Sequence, residues 1–135
     1  MAFRWPARIR FVDTDASGRI HYTALLRHFE AAEAEFMRTL GVSYNHMPEN
    51  NLAWPRVHVE CDYLGALTYD DQVEIEVSVE RIGLGSFTLG FEVLLENKPV
   101  ARGKIVIAAM DRPTATSRPL PEQLVERLKK EMKHA

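Results

Sequence analysis

The chain has 135 residues, with an apolar share of 46 % and a charged share of 27 %, the make-up of one globular domain with room for a real core. A formal net charge of −2 gives no electrostatic case for a nucleic-acid partner. A single cysteine excludes an internal disulfide framework, and no leader or apolar run of membrane length is visible, so the expected setting is the cytoplasm, without an integral membrane segment.

In chain order, residues 1–12 read as a first strand. Ala7, Ile9 and Phe11 are apolar against Arg8 and Arg10, and Trp5-Pro6 sits at the entry, where a proline is tolerated. The strand runs into Asp13-Thr14-Asp15-Ala16-Ser17-Gly18, two aspartates followed by a Ser-Gly turn. Taken alone, that run can be an ordinary turn whose side chains bond nearby backbone N–H groups. Apolar residues then recur at Tyr22, Leu25, Leu26, Phe29, Ala32, Phe36, Met37 and Leu40, which predicts a helix from Tyr22 to Leu40 with Gly41 as its stop. Glu30, Glu33 and Glu35 interrupt it; most are expected to be solvated or paired, and one that faces a cleft could touch substrate.

Residues 42–52 read as a loop. Val57, Val59, Cys61 and Tyr63 alternate with polar residues, so Cys61 reads as a buried structural thiol. Val73, Ile75, Val77 and Val79 give the strongest strand signal, one face buried and one wet. Gly83-Leu84-Gly85 turns into Phe87 to Leu95, and Glu96 to Pro99 turns into Val100 to Met110. Residues 112–121 form an extended connection, and Pro121 suits the first turn of a closing helix. The pattern β-α-β-β-β-β-α predicts one α+β domain over residues 1–135 with a largely antiparallel sheet. One long amphipathic helix covers only one side of such a sheet, and the uncovered side or edge invites a second copy.

The chemistry concentrates between the first strand and the helix. A helix start carries unpaired N–H groups and partial positive charge, able to hold developing negative charge on an oxygen. A carboxylate beside it can act as nucleophile or general base. The five histidines show no His-x-x-x-His spacing, so no metal site is expected, and no Gly-x-Ser-x-Gly elbow exists.

The run Asp13 to Gly18, followed by Tyr22 and Leu26-Arg27-His28-Phe29-Glu30, resembles the hotdog-fold acyl-CoA thioesterases of the 4-hydroxybenzoyl-CoA thioesterase type. Within them it is most similar to the bacterial thioesterases associated with the Tol–Pal operon, to which Phe3-Arg4-Trp5-Pro6, Asp70-Asp71-Gln72-Val73 and Gly83 to Phe87 add. The resemblance implies a long central helix wrapped by the sheet, and hydrolysis of acyl-CoA or acyl-carrier-protein thioesters without a cofactor. It implies Asp15 as the catalytic carboxylate, attacking the carbonyl or activating water, with the Tyr22 backbone N–H polarising the thioester oxygen. Asp13 would brace the loop, and Gly18, His21 and the Tyr22 ring would lie around the substrate. It also implies a homodimer or homotetramer with the site shared between subunits. The chain departs from the Tol–Pal-associated pattern at His21-Tyr22, where the order is reversed, at Ala24 and Leu25, and at Ile82 to Gly85, where the hydroxybenzoyl enzyme has a basic cluster. The rival reading is a hotdog protein that binds acyl thioesters without turnover, or is structural.

Overall fold

Alternating apolar and polar residues build the long strands. In the computed structural model, which describes residues 2–42 and 51–134, these strands form a five-stranded antiparallel sheet in the order β1-β4-β5-β6-β3. Its members are β1 (Phe3–Arg8), β3 (Arg56–Tyr63), β4 (Gln72–Ile82), β5 (Ser86–Leu95) and β6 (Lys98–Ala108). Val77 faces Phe91 across the β4–β5 pair, and Phe91 faces Gly103 across β5–β6, so one row of inward residues crosses the sheet.

Helix α1 (Ala24–Thr39) lies on that row. Phe29 stacks on Phe91 at 4.7 Å between ring centroids. A side chain at Gly103 would stand 2.5 Å from the Phe29 ring, so only glycine lets the helix approach this closely. Phe29, Phe36, Leu25 and Met37 from α1 join Ile75, Leu89 and Ile107 from the strands in the core. Burying each such side chain is worth about 1.5–3 kcal/mol.

The helix ends where Gly41 predicts. Gly41 takes a positive φ of 74°, its N–H reaches the Arg38 carbonyl and the Val42 N–H reaches Met37, the Schellman arrangement. Helix α2 (Glu122–His134) packs against β4 and buries Leu124 and Leu128 in the same core, and its Arg127 donates to the Leu40 carbonyl. Pro121 stands just ahead of this helix, its carbonyl accepting the Val125 N–H.

Four expectations are corrected. The first strand ends at Arg8, and Phe11–Asp13 form a 3₁₀ turn, which throws Phe11 and Val12 outward. Helix α1 begins at Ala24 rather than Tyr22, because the N–H of Thr23 is taken by the His21 ring and residues 22–23 form a turn. Short strands β2 (Leu52–Ala53), β7 (Met110–Asp111) and β8 (Thr116–Ser117) form a second, small sheet across regions read as loop and connection. The rest of the expected loop lies mostly outside the described residues. Finally, Cys61 is only half-buried, and Val57, Val59 and Tyr63 are exposed, because β3 is an edge strand whose alternating side meets no cover.

Candidate active site

Ile9 extends the β1–β4 pairing by one residue, its N–H and carbonyl bonded to Asp71 and Asp70 at 2.9 and 2.8 Å. The 3₁₀ turn then carries Asp13 inward to 3 % exposure. A buried carboxylate needs partners, and Asp13 has three. Its Oδ2 accepts the Arg10 N–H at 2.8 Å and lies 2.9 Å from His28 Nε2, while Oδ1 accepts from Arg27 Nη2 at 3.2 Å. Burial alone would raise its pKa; the Arg10 N–H, His28 and Arg27 outweigh that and hold the carboxyl below its ordinary range.

Asp13 also organises the chain beyond it. Its carbonyl accepts the His21 N–H at 2.7 Å, and inside that closure Thr14 bridges Ile20 and the Asp15 N–H bonds the Arg19 carbonyl at 2.9 Å. Residues 14–20 therefore form a small pinned loop. Gly18 turns its tip with a φ of 84°, a conformation L side chains rarely adopt. The loop is fixed to the sheet side by the Ile20 N–H bond to Leu67, 2.9 Å, and by a bridge between Arg19 and Thr68.

Asp15 stands exposed on this loop. Ser17 aims its N–H (2.8 Å) and hydroxyl (2.5 Å) at Oδ1, leaving Oδ2 without a partner among the described residues. The Ser17 hydroxyl and N–H, with His21 adding to them, hold the carboxyl below its ordinary range. The result is an ionised carboxylate with one oxygen tied and one available.

The Tyr22 N–H has no acceptor in the chain among the described residues, although it lies ahead of the first turn of α1. The backbone around it is held on both sides. Tyr63 donates its hydroxyl to the Tyr22 carbonyl, and the His21 ring stacks on the Tyr22 ring at 4.6 Å while its Nδ1 accepts the Thr23 N–H at 3.2 Å. Burial and the neighbouring Cys61 push the Tyr63 phenol up to about 12, so it remains a donor. An open groove of about 410 Å³ runs beside these residues, with Ile20, Leu67 and Ala66 as apolar wall, Tyr22 and Tyr63 as rings and Arg19 as its cation. Asp15 does not line the groove; it is joined to it through the bond from its N–H to Arg19.

Asp15 and Gly18 lie on the loop, and His21 and Tyr22, the other residues singled out in the sequence, follow it directly. Sequence reasoning missed Tyr63, and it missed His28 and Arg27 as partners of Asp13. The one available signal was their place on the same helical stretch as the motif. Glu33, buried to 2 % exposure, is ion-paired with Arg56, and Glu35 with Arg38, in line with the expected pairing. Among the described residues no group of three or more histidine, cysteine, aspartate or glutamate side chains converges as a metal site would require.

A long helix laid on one antiparallel sheet, with a carboxylate loop entering the helix, defines a hotdog-fold thioesterase. The chain belongs to the thioesterase-like superfamily, whose family model matches residues 9–128. It is similar to a protein of Aquifex aeolicus described as an esterase, 30% identical over 96% of this chain and 99% of that one. It is also similar to the 1,4-dihydroxy-2-naphthoyl-CoA hydrolase of Synechococcus elongatus, 29% identical over 86% of this chain and 87% of the relative. Among solved structures, one from Aquifex aeolicus superposes with a TM-score of 0.86 at 28% identity, covering 93% of this chain and 98% of that chain. Thioester hydrolysis is the chemistry of the family.

Proposed function

We propose that this chain, acting as one domain over residues 1–135, hydrolyses acyl-CoA thioesters, with acyl-carrier-protein thioesters as alternative substrates. Asp15 is the catalytic carboxylate and the Tyr22 N–H is the oxyanion donor. The observation that carries this reading is an ionised carboxylate with one oxygen unengaged among the described residues, on a pinned loop that leads two residues later to a backbone N–H likewise unengaged. Thiolate is a good leaving group, so a carboxylate and one oxyanion donor form a sufficient minimum. Asp15 either attacks the carbonyl carbon, giving an acyl anhydride that water then cleaves, or removes a proton from the attacking water. In both routes negative charge grows on the thioester oxygen and is met by the Tyr22 N–H. Gly18, His21 and the Tyr22 ring shape the approach.

The site is shared between two copies. Strand β3 is an open edge, and its Val59 and Tyr63 side chains stay exposed although they pair with the buried Ile105 and Ala101. A second copy is the occupant that continues both the sheet and this apolar row. Because Tyr63 also lines the groove, that copy would border the groove beside the Asp15 loop, and pairs of such dimers would give a homotetramer. No described helix is long and apolar enough to cross a membrane, and the half-buried free thiol of Cys61 suits a reducing cytoplasm. Phe3 to Pro6 and the Asp13–Gly18 run support assignment to the Tol–Pal-associated branch of the family.

Release of free thiol from a panel of aliphatic and aromatic acyl-CoAs tests the activity, and Asp15→Asn tests the site. A folded Asp15→Asn protein with wild-type turnover would overturn the assignment of Asp15. An active monomer seen by light scattering at micromolar concentration would overturn the shared site. Binding of acyl-CoA without turnover would establish the non-catalytic reading in its place.

A further inference from the structure

Resting on the assignment of Asp15 and Tyr22, we propose that Arg19 selects acyl groups that carry a carboxylate of their own, so that the preferred substrates are monothioesters of dicarboxylic acids. Arg4, Arg8, Arg27, Arg38 and Arg102 each pair with a carboxylate. Arg19 pairs with none among the described residues, although Asp15 lies in the same seven-residue loop; Asp15 turns its carboxylate to Ser17 instead. The guanidinium is therefore left as the one cation of the groove that also holds Tyr22, Tyr63 and the apolar side chains of Ile20 and Leu67.

The Arg19 backbone is fixed from below. The Arg19 carbonyl accepts the Asp15 N–H, its own N–H reaches Ser17 Oγ at 3.3 Å, and its backbone bridges Thr68. A cation rooted this close to the reacting carboxylate meets the part of the substrate next to the thioester. The phosphates of coenzyme A stand a whole pantetheine arm away, beyond the reach of one arginine side chain anchored here. The acyl group and the near end of the pantetheine arm are within reach, and of the two only an acyl group can bring a negative charge to meet the cation. A planar guanidinium fork matches a carboxylate with two parallel hydrogen bonds, which neither an alkyl end nor a neutral hydroxyl can supply. The apolar wall then carries the methylenes and the arginine reads the end.

The test uses length-matched pairs of coenzyme A thioesters: succinyl against butyryl, glutaryl against valeryl, adipyl against hexanoyl. The readout is the ratio of kcat/KM within each pair. For the wild-type chain the carboxylate-bearing member of at least one pair should be favoured by about tenfold, the lower end expected for a charged hydrogen bond near solvent. Arg19→Gln should bring that ratio to about one, mainly through KM, Arg19→Lys should restore part of it, and Arg19→Glu should invert it. A ratio of one in every pair with turnover intact overturns the selection by Arg19 and leaves the thioesterase reading standing. An equal fall for both members in Arg19→Gln overturns it too, since the arginine would then act on what all the substrates share. Absence of turnover with every thioester overturns the reading of Asp15 and this inference with it.

Discussion

His28 Nε2 on the second turn of α1 lies 2.9 Å from Asp13 Oδ2, and this contact ties the central helix to the base of the loop that carries Asp15. Asp13 closes that loop through its backbone, accepting the His21 N–H one residue before the proposed oxyanion donor. The pair therefore sets where Tyr22 stands without touching substrate.

Replacing His28 by leucine leaves the buried carboxylate with the Arg10 N–H and Arg27 only. The expected cost is about 1–3 kcal/mol in stability, read from denaturant midpoints at constant slope. Turnover number should fall more than KM changes, because the loop that carries Asp15 is displaced whole while Tyr63 to Leu67 keep most of the groove in place. His28→Gln, which keeps an N–H donor, should recover part of both losses. A His28→Leu protein with wild-type turnover number and stability would remove His28 from this role.

The same carboxylate makes stability depend on acid. Burial works against its ionised form, but the Arg10 N–H, His28 and Arg27 leave the folded pKa lowered from the ordinary 3.8. On acidification the unfolded chain takes up this proton first. The contribution of Asp13 is therefore complete above about pH 4 and is lost as pH falls through the ordinary value towards the lowered one. Denaturation midpoints measured from pH 6 down to pH 3 should drop, and Asp13→Asn should start lower at pH 6 and drop less steeply. Equal slopes for the two proteins would show that other carboxylates carry the effect.

Ser17 tunes the carboxylate of Asp15, the proposed catalytic group. Its hydroxyl and N–H are the chief causes of the lowered Asp15 pKa, and of the two only the hydroxyl is removed by Ser17→Ala. If Asp15 is the catalytic carboxylate, its base form is the active one, so activity is retained above its pKa and falls below it. The acid limb of kcat/KM should therefore move to higher pH in Ser17→Ala, with the plateau at neutral pH largely kept. A limb that stays in place would mean that it reports another group.

Much of this was legible in the sequence, for physical reasons that also mark where legibility ended. Val73 to Val79 alternate because one face of β4 meets the core, and Gly41 stops α1 because its φ is positive. The Asp13–Gly18 run announced a loop with carboxylates. The start of α1 was misplaced because Tyr22 keeps the apolar rhythm of the helix while the His21 ring competes for the Thr23 N–H, a side-chain bond invisible to periodicity. Two-residue strands such as Leu52–Ala53 and Met110–Asp111 are too short to show a period. Val57 and Val59 read as buried because alternation reports which side is apolar, and cannot say whether the same chain covers it. The separation of Asp13 and Asp15 into a buried brace and an exposed reagent came from family likeness; the two residues look alike in the sequence and differ only in what packs around them.

The last expectation concerns the backbone at Tyr22. If its N–H holds the oxyanion, changes to the ring and changes to the loop should separate in the kinetics. Tyr22 is 72 % exposed, and its hydroxyl makes no bond among the described residues, so Tyr22→Phe should keep most of the turnover number and shift mainly KM. Tyr63→Phe removes the donor to the Tyr22 carbonyl and frees that segment, so turnover number should fall severalfold with the Tyr22 ring untouched. Gly18→Val acts further away. No atom lies within 4 Å of where its Cβ would stand, so the whole cost comes from a φ of 84°, about 1–3 kcal/mol for a β-branched residue. Relief of that strain would shift Asp15 relative to Tyr22, and a displacement of this kind lowers rate by about a hundredfold. Gly18→Asn, which tolerates positive φ, should be far milder. Steady-state kinetics on the four variants decide the matter. A large loss of turnover number in Tyr22→Phe, with Tyr63→Phe unaffected, would move the oxyanion contact from the Tyr22 backbone to its hydroxyl.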